Sequence, residues 1–358
     1  MRKYGLFFVG FVSLVSAAMA QNIIQLPDSL RAVTDTVKWV KRIPMYCEGP
    51  AWEPATGAVY FTEQFASGVA NWPIWKVIPG NAADTGMIFV NTYQNNGLDF
   101  DPQGRLVSCQ NGRLSRYNSN GTLDSTLVVS PSNGVTFGMA NDLSIGSNGA
   151  IYFTALGNAV YYLSPTRQLS TATTNISSAN GIEWMESENS VYVNSTSGGA
   201  VYKFAVGTNG ALGTRTNYVS VTSPDGGTYD SHGNRYVGSY SLGEIRVFNA
   251  RGDSIGRIAL RTATGTYDNR AGNTGNVDNC VFGGADLKTL YITGDGGLYS
   301  ILLKIPGQAR YPSTAIRSYR LLPLNRTDAG IFLNVRGQRL FGKYWKENRR
   351  NLSVLRWK

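Results

Sequence analysis

Six copies of one short pattern run through the 358-residue chain, and each opens on an oxygen-bearing side chain. They read EGPAWEPATGAVYFT from Glu48, NGLDFDPQGRLVSC from Asn96, NDLSIGSNGAIYFT from Asn141, NGIEWMESENSVYVN from Asn180, DGGTYDSHGNRYVGS from Asp225 and NCVFGGADLKTLYIT from Asn279. Self-similarity at a period of about 40–55 residues marks a propeller or solenoid. Each copy is a short strand, a polar turn rich in Gly, Asn or Asp, and a second strand that alternates apolar and small residues. The first strand of a propeller blade lines the central channel. The six opening residues are therefore expected to meet in space, although Glu48 and Asn279 lie far apart in the chain.

The remaining strands of each blade are legible as well. Third strands follow as IWKV from Ile74, LSRY from Leu114, VYYL from Val160, VYKF from Val201, IRVF from Ile245 and LYSI from Leu298. Fourth strands follow in five places: MIFVN from Met87, TLVVS from Thr126, QLSTAT from Gln168, TNYVS from Thr216 and RIALR from Arg257. The sixth blade lacks one after Ile305, and VKWVKRI from Val37 can supply it, joining the two ends of the chain and removing a sheet edge. The expected fold is all-β, a six-bladed β-propeller with four antiparallel strands per blade and an N-terminal strand closing the last. A content of 41 Gly suits that many tight turns. The competing reading is an all-β sandwich with chance repetition.

Residues 1–20 read as a secretory signal: Arg2 and Lys3, an apolar stretch from Leu6 to Val15, and Ala18-Met19-Ala20 before a cut at Gln21. The apolar stretch is too short for a permanent span, and no other stretch approaches that length. The mature protein is expected to be exported, to the periplasm or beyond. Residues 21–308 then form the propeller and 309–358 a basic extension. From Arg310 onward there are 12 basic residues against Asp328 and Glu347. Without that tail and the two signal positives, 19 basic and 21 acidic residues remain, so the propeller is nearly neutral. Nucleic-acid binding through the tail is at odds with export. GIFLNVRGQRLFGKYW from Gly330 looks like a β-hairpin with a basic end. It loosely resembles sorting or attachment modules of exported bacterial proteins, which would give it a cell-surface or secretion-machinery contact; the alternative is a solvated extension.

Cys47, Cys109 and Cys280 have no metal-binding spacing. Cys47 and Cys280 adjoin ring residues of neighbouring blades, which leaves open either a disulfide or buried free thiols. Cys109 is expected in the core. The one histidine, His232, falls in the SHGN turn of the fifth blade, at the end away from the ring. That placement argues against Ser-His-Asp and His-zinc chemistry. The ring is then the candidate site. Carboxylate and carboxamide oxygens suit a hard cation; Glu48, Asn180 and Asp225 would give three ligands with positions left for water and substrate. The plainer alternative is that these side chains only cap the channel mouth through backbone hydrogen bonds.

EGPAW from Glu48, NGLDFDPQGRLVSC from Asn96, NDLSIGSNGAIYFT from Asn141, NGIEW from Asn180 and SPDGGTYDSHGNRYV from Ser223 together resemble the senescence-marker-protein/gluconolactonase family, over roughly Lys38 to Lys304. The group includes regucalcin and bacterial sugar lactonases. The resemblance implies one divalent cation in the channel, calcium first, with magnesium, manganese or zinc as alternatives. It implies Glu48, Asn180 and Asp225 as ligands, Asp225 also as general base, and Asn141 as a contact to water or substrate. Asn96 and Asn279 join Asn141 as expected substrate contacts.

The chain also departs from that pattern. Gly138 and Met139 stand where a substrate-binding arginine is usual, Ala155-Leu156 where Asp-Pro is usual, and Gln110-Asn111-Gly112 where Glu-His-Gly is usual. A gluconate-type substrate is thus not expected. Phe65, Trp72, Tyr93 and Phe137 near the mouth suggest a more apolar pocket, unless they pack between blades. The expected activity is metal-dependent hydrolysis of a lactone. The alternative is a non-catalytic propeller that binds a ligand or polysaccharide around a structural cation, and a third is another chemistry on related propellers such as the strictosidine-synthase-like ones. The charge segregation carries its own prediction. A chain ending before Arg310 should unfold cooperatively and keep its cation affinity; loss of the cooperative thermal transition would make the tail part of the core.

Overall fold

The computed structural model describes residues 22–32, 37–43, 45–64, 70–81, 84–262 and 275–309. Residues 1–21, residues 310–358 and Phe65 lie outside the described residues. Two N-terminal strands, β1 (Asn22–Gln25) and β2 (Lys38–Arg42), precede the blades. Blade 1 is β3 to β6, at Tyr46–Glu53, Ala58–Gln64, Ile74–Val77 and Met87–Val90. Blade 2 is β7 to β10, at Asn95–Phe100, Leu106–Gln110, Arg113–Tyr117 and Leu123–Val129. Blade 3 is β11 to β14, at Ala140–Ile145, Ile151–Ala155, Val160–Leu163 and Leu169–Thr173. Blade 4 is β15 to β18, at Ala179–Met185, Ser190–Ser195, Ala200–Ala205 and Thr216–Ser220. Blade 5 is β19 to β22, at Pro224–Tyr229, Arg235–Ser239, Glu244–Phe248 and Ser254–Thr262. Blade 6 is β23 to β25, at Val277–Gly283, Thr289–Gly294 and Gly297–Leu302.

The architecture is the expected six-bladed propeller. β2 pairs antiparallel with β25 and closes blade 6, as the missing fourth strand requires. One feature was not expected: β1 adds a fifth strand to blade 5 through β22, with Ile24 opposite Ile258 and Gln25 opposite Arg257. The N-terminal segment thus covers the outer edges of two neighbouring blades, and both edges lose their unpaired backbone groups.

No blade has a core to itself. Six apolar clusters form, each between two adjacent blades. Blades 1 and 2 share Ala51, Tyr60, Leu98 and Leu106; blades 2 and 3 share Val107, Leu114, Leu143 and Phe153. Blades 5 and 6 share Tyr236, Ile245, Phe282 and Ile292, and the ring closes between blades 6 and 1 on Leu298, Tyr291, Val59 and Phe61. Each blade therefore depends on both neighbours for burial, which makes the ring one cooperative unit.

The polar turns between first and second strands explain the second oxygen-bearing residue in each repeat. Asp101 Oδ1 accepts from the backbone N–H groups of Gln103 and Arg105, and Asp230 Oδ1 from those of His232 and Asn234. These Asx turns lie at the end opposite the ring. His232 is exposed there, where the sequence reading put it.

Among the described residues one ion pair crosses a blade interface. Arg235 on β20 forms an ion pair with Glu183 on β15 at 2.6 Å and lies 3.9 Å from the centre of the Tyr192 ring; both charged side chains are almost fully buried. Deleting one partner leaves the other charge buried and unpaired. Arg235→Ala should cost about 3–5 kcal/mol in urea unfolding, and a loss below about 1 kcal/mol, the range of an exposed pair, would refute the role.

Candidate functional site

All six inner strands carry a register shift at their first residues, and that irregularity builds the site. In blades 2 to 5 two consecutive residues face a single residue of the second strand: Asn96-Gly97, Asn141-Asp142, Asn180-Gly181 and Asp225-Gly226. A bulge of this kind bends the strand and re-aims a side chain. Here the first residue of the pair turns to the channel. The glycine after it faces the next blade, and the fit leaves no space for a side chain. A Cβ on Gly97 would overlap Asp142, one on Gly181 the backbone of Asp225, and one on Gly226 the side chain of Asn279. The glycines of the EG, NG and DG pairs are thus required by close approach between inner strands.

The second strands hold the ring in place. Thr62 Oγ1 donates to the carbonyl of Glu48 at 3.2 Å, Thr154 Oγ1 to that of Asn180 at 2.6 Å, and Thr293 Oγ1 to that of Asn279 at 3.3 Å. Asn194 Nδ2 donates to the Asp225 carbonyl. The alternating small residues of the second strands, legible in the sequence only as strand pattern, therefore position the ring backbone.

Glu48, Asn180, Asp225 and Asn279 meet at the channel, and Asn96 and Asn141 occupy the bulge position of their own inner strands. Glu48, Asn96, Asn141, Asp225 and Asn279 are buried and Asn180 is half-buried. The Glu48 and Asp225 carboxyls lie within hydrogen-bonding reach, and Asn180 faces Asp225. Asn279 Nδ2 donates to Glu48 Oε2 at 3.4 Å and to Asp142 Oδ2 at 3.3 Å, while its Oδ1 accepts from the Cys280 N–H at 2.8 Å. It therefore spans the ring and ties blades 1 and 3 to blade 6. Asn96 Oδ1 accepts from Gln64 Nε2 at 2.7 Å, which turns its amide into the available donor.

Asp142 and Asp278 belong to this site and were not expected. Asp142 occupies the bulge position that is glycine in blades 2, 4 and 5, so its carboxylate has no choice but to enter the ring. The only sequence signal was that exception to the repeat. Asp278 is the extra residue of the sixth bulge and is fully buried. Tyr46 and Tyr240 stand beside this part of the ring, their rings 6.0 Å apart.

Burial raises the Glu48 carboxyl above the usual carboxylate range. Asp225 rises well above it, first through burial and then through the facing Glu48 charge. Asp278 rises through burial and the charges of Glu48 and Asp225. Asn180 Oδ1 and Asp225 Oδ1 are buried acceptors without a hydrogen-bond partner among the described residues. Two facing carboxyls and an orphaned carboxamide oxygen are the donor set of a hard cation. Among the described residues no three His, Cys, Asp or Glu side chains form a metal-holding group, so a cation here depends on the Asn180 carboxamide.

The other expectations divide. Cys47, Cys109 and Cys280 are all free and buried, so no disulfide staples blade 1 to blade 6, and burial pushes each thiol well above its usual range. Phe137 packs edge-on against Phe153 between blades 2 and 3 and is not at the mouth. Gln110 is buried and donates to Asn95 Oδ1 and the Tyr117 hydroxyl, both at 2.7 Å, which makes it a support for the ring.

A stability consequence follows. In the cation-free folded protein Glu48 and Asp225 ionise at higher pH than in the unfolded chain. Their contribution is complete below the unfolded value and is lost as pH rises through the folded one. Asp225→Asn removes one of the facing carboxyls. In chelator at mildly alkaline pH it should melt above the parent, by about 2–4 °C for each kcal/mol of relieved repulsion, while calcium should no longer raise its melting temperature. A lower melting temperature of this variant in chelator would refute the facing-carboxyl geometry.

Comparison with known proteins agrees with this fold. Residues 46–295 match the SMP-30/gluconolactonase/LRE-like region. The pentonolactonase XacC of Haloferax volcanii is 24% identical over 266 residues, covering 70% of this chain and 81% of that protein. Among solved structures, the gluconolactonase XC5397 of Xanthomonas campestris superposes with a TM-score of 0.62 at 24% identity, covering 79% of this chain and 97% of that one. Regucalcin of Agrobacterium tumefaciens, a calcium-binding protein, superposes with a TM-score of 0.61 at 15% identity, covering 76% and 95%. Both share the propeller fold. With residues 46–295, more than half of its length, matched, the chain belongs to the SMP-30/gluconolactonase/LRE-like family.

Proposed function

We propose that this protein hydrolyses a lactone in the propeller channel, with a divalent cation held by Glu48, Asn180 and Asp225. The convergence of these three from blades 1, 4 and 5, with buried unpartnered oxygens on Asn180 and Asp225, carries the reading. The family and the pentonolactonase relative support the substrate class. Calcium is the first choice for an all-oxygen set, with magnesium, manganese or zinc as alternatives. Such an ion, when bound, polarises a carbonyl and lowers the pKa of water.

The chain's own residues do the rest. Asp225, raised in pKa by burial and facing Glu48, accepts the proton of the attacking water. The same proton can pass to the ring oxygen as the ester C–O bond breaks. Asn141 and the amide of Asn96 orient the lactone. Asn279, its amide shared between Glu48 and Asp142, holds the two carboxylates apart and shapes the floor beneath the substrate. No thiol or imidazole takes part: the cysteines are buried in blade interfaces and His232 is at the far end. With the signal at residues 1–20, the reaction takes place outside the cytoplasm.

The test is pH-stat hydrolysis of a lactone panel with calcium, magnesium, manganese or zinc. Asp225→Asn and Glu48→Gln should lose about 10²–10⁴-fold in rate. His232→Ala and Cys109→Ser should retain most of it. Absence of metal-dependent turnover of any lactone would leave a ligand-binding propeller instead.

A further inference from the structure

The rim above blades 1 to 3 carries exposed apolar side chains. Tyr93, three residues before Asn96, is 43% exposed, and Leu156, at the end of β12, is 62% exposed. Trp72 and Met139 are half-buried beside them. Hydrogen bonds tie all four to residues beside the ring. Asn95 Nδ2 donates to the Trp72 carbonyl at 2.7 Å, and the Trp72 N–H donates to the Tyr93 carbonyl at 2.9 Å. Met139 stands two residues before Asn141, and its carbonyl accepts from the Leu156 N–H at 2.8 Å. Blade 2 joins the two halves: Asn111 bridges to Met139, and the Arg113 guanidinium lies 4.5 Å from the centre of the Tyr93 ring.

The other large exposed apolar residues of the described chain lie on outer strands or strand ends: Met87 and Ile88 on β6, Leu123 and Val129 on β10, Leu302 on β25. The Trp72, Tyr93, Met139 and Leu156 group adjoins the strands that carry Asn96 and Asn141. An exposed apolar patch with a polar site at its edge is the usual form of a ligand seat. We propose that this shelf seats an apolar arm of the substrate, so that the protein acts on lactones bearing an alkyl or aryl substituent. The lactone ring lies over Asn96 and Asn141, and the arm runs outward over Met139, Leu156 and Tyr93. Arg113 holds the Tyr93 ring from one face and keeps it as part of the shelf.

The inference rests on the lactonase reading, and the experiment separates the two. The calcium-loaded full chain is assayed on unsubstituted γ-butyrolactone, on γ-alkyl homologues of increasing length, and on glucono-δ-lactone. For each methylene that reaches the shelf, kcat/KM should rise about fourfold, and glucono-δ-lactone should be the poorer substrate. Leu156→Ser and Tyr93→Ser should flatten the chain-length dependence, whereas Met87→Ser, an equally exposed apolar residue on the outer strand of blade 1, should leave it intact. A preference for the polyhydroxy lactone, or a slope that survives both rim substitutions, overturns the shelf while leaving the lactonase reading in place. If no lactone is turned over, the lactonase reading fails. Calorimetry with non-hydrolysable γ-alkyl lactams then decides the shelf alone: tightening with chain length supports it, and affinity independent of length overturns it.

Discussion

The structure turns on how closely six inner strands can approach around one axis. Each strand brings its first residues to a crowded channel, and the backbone of the next strand occupies the space where a side chain would stand. Glycine meets that constraint at Gly49, Gly97, Gly181 and Gly226. In blades 2, 4 and 5 the bulge that places the glycine against its neighbour also rotates the residue before it into the channel. Packing and chemistry are therefore set by one device. The ring cannot be loosened without parting the blades, and the blades cannot close without forming the ring.

The consequence is a concentration of negative charge that the apolar interfaces must hold. Glu48, Asp225 and Asp278 are buried near one another, and all three carboxyls are pushed toward the protonated form. Asn279 and the threonines of the second strands stabilise the arrangement with neutral donors, so the charges are not cancelled by Lys, Arg or His. A site of this kind stores electrostatic strain that a hard cation relieves. The six inter-blade clusters supply the apolar burial that tolerates the strain. This division of labour suits one scaffold carrying many substrates: the floor of the channel is set by packing, while the rim loops are free to vary.

The rim is where this chain differs from what its repeats suggest. Gly138, Met139 and Leu156 stand just outside the ring strands near Asn141 and present no charge. The four apolar rim residues are tied by backbone hydrogen bonds to ring neighbours, so the surface they offer is fixed relative to the reacting centre. Fixed apolar area beside a polar floor favours a two-part substrate over a uniformly hydroxylated one, because each half then loses water only where it gains a matching partner.

Strand order, blade number, closure by the N-terminal strand and the meeting of Glu48, Asn180, Asp225 and Asn279 were legible in the sequence. Each is a local pattern repeated six times, and repetition makes a weak signal strong. His232 was placed correctly for the same reason, since a turn residue between two strands has only one end to occupy. What the sequence did not reveal is what distance alone decides. Asp142 reads as an ordinary strand residue until the bulge turns two consecutive side chains inward. Asp278 reads as a residue before the motif until the sixth bulge buries it beside Glu48. Phe137 looks like a mouth aromatic until it is seen against Phe153. The strand β1, with only four residues, carries no period long enough to read, and its place on blade 5 exists only because the edge of β22 is there to receive it. Periodicity specifies which residues share a face. Only the tertiary structure decides which of them meet across the channel, because that depends on the register shifts and close approaches between strands far apart in the chain.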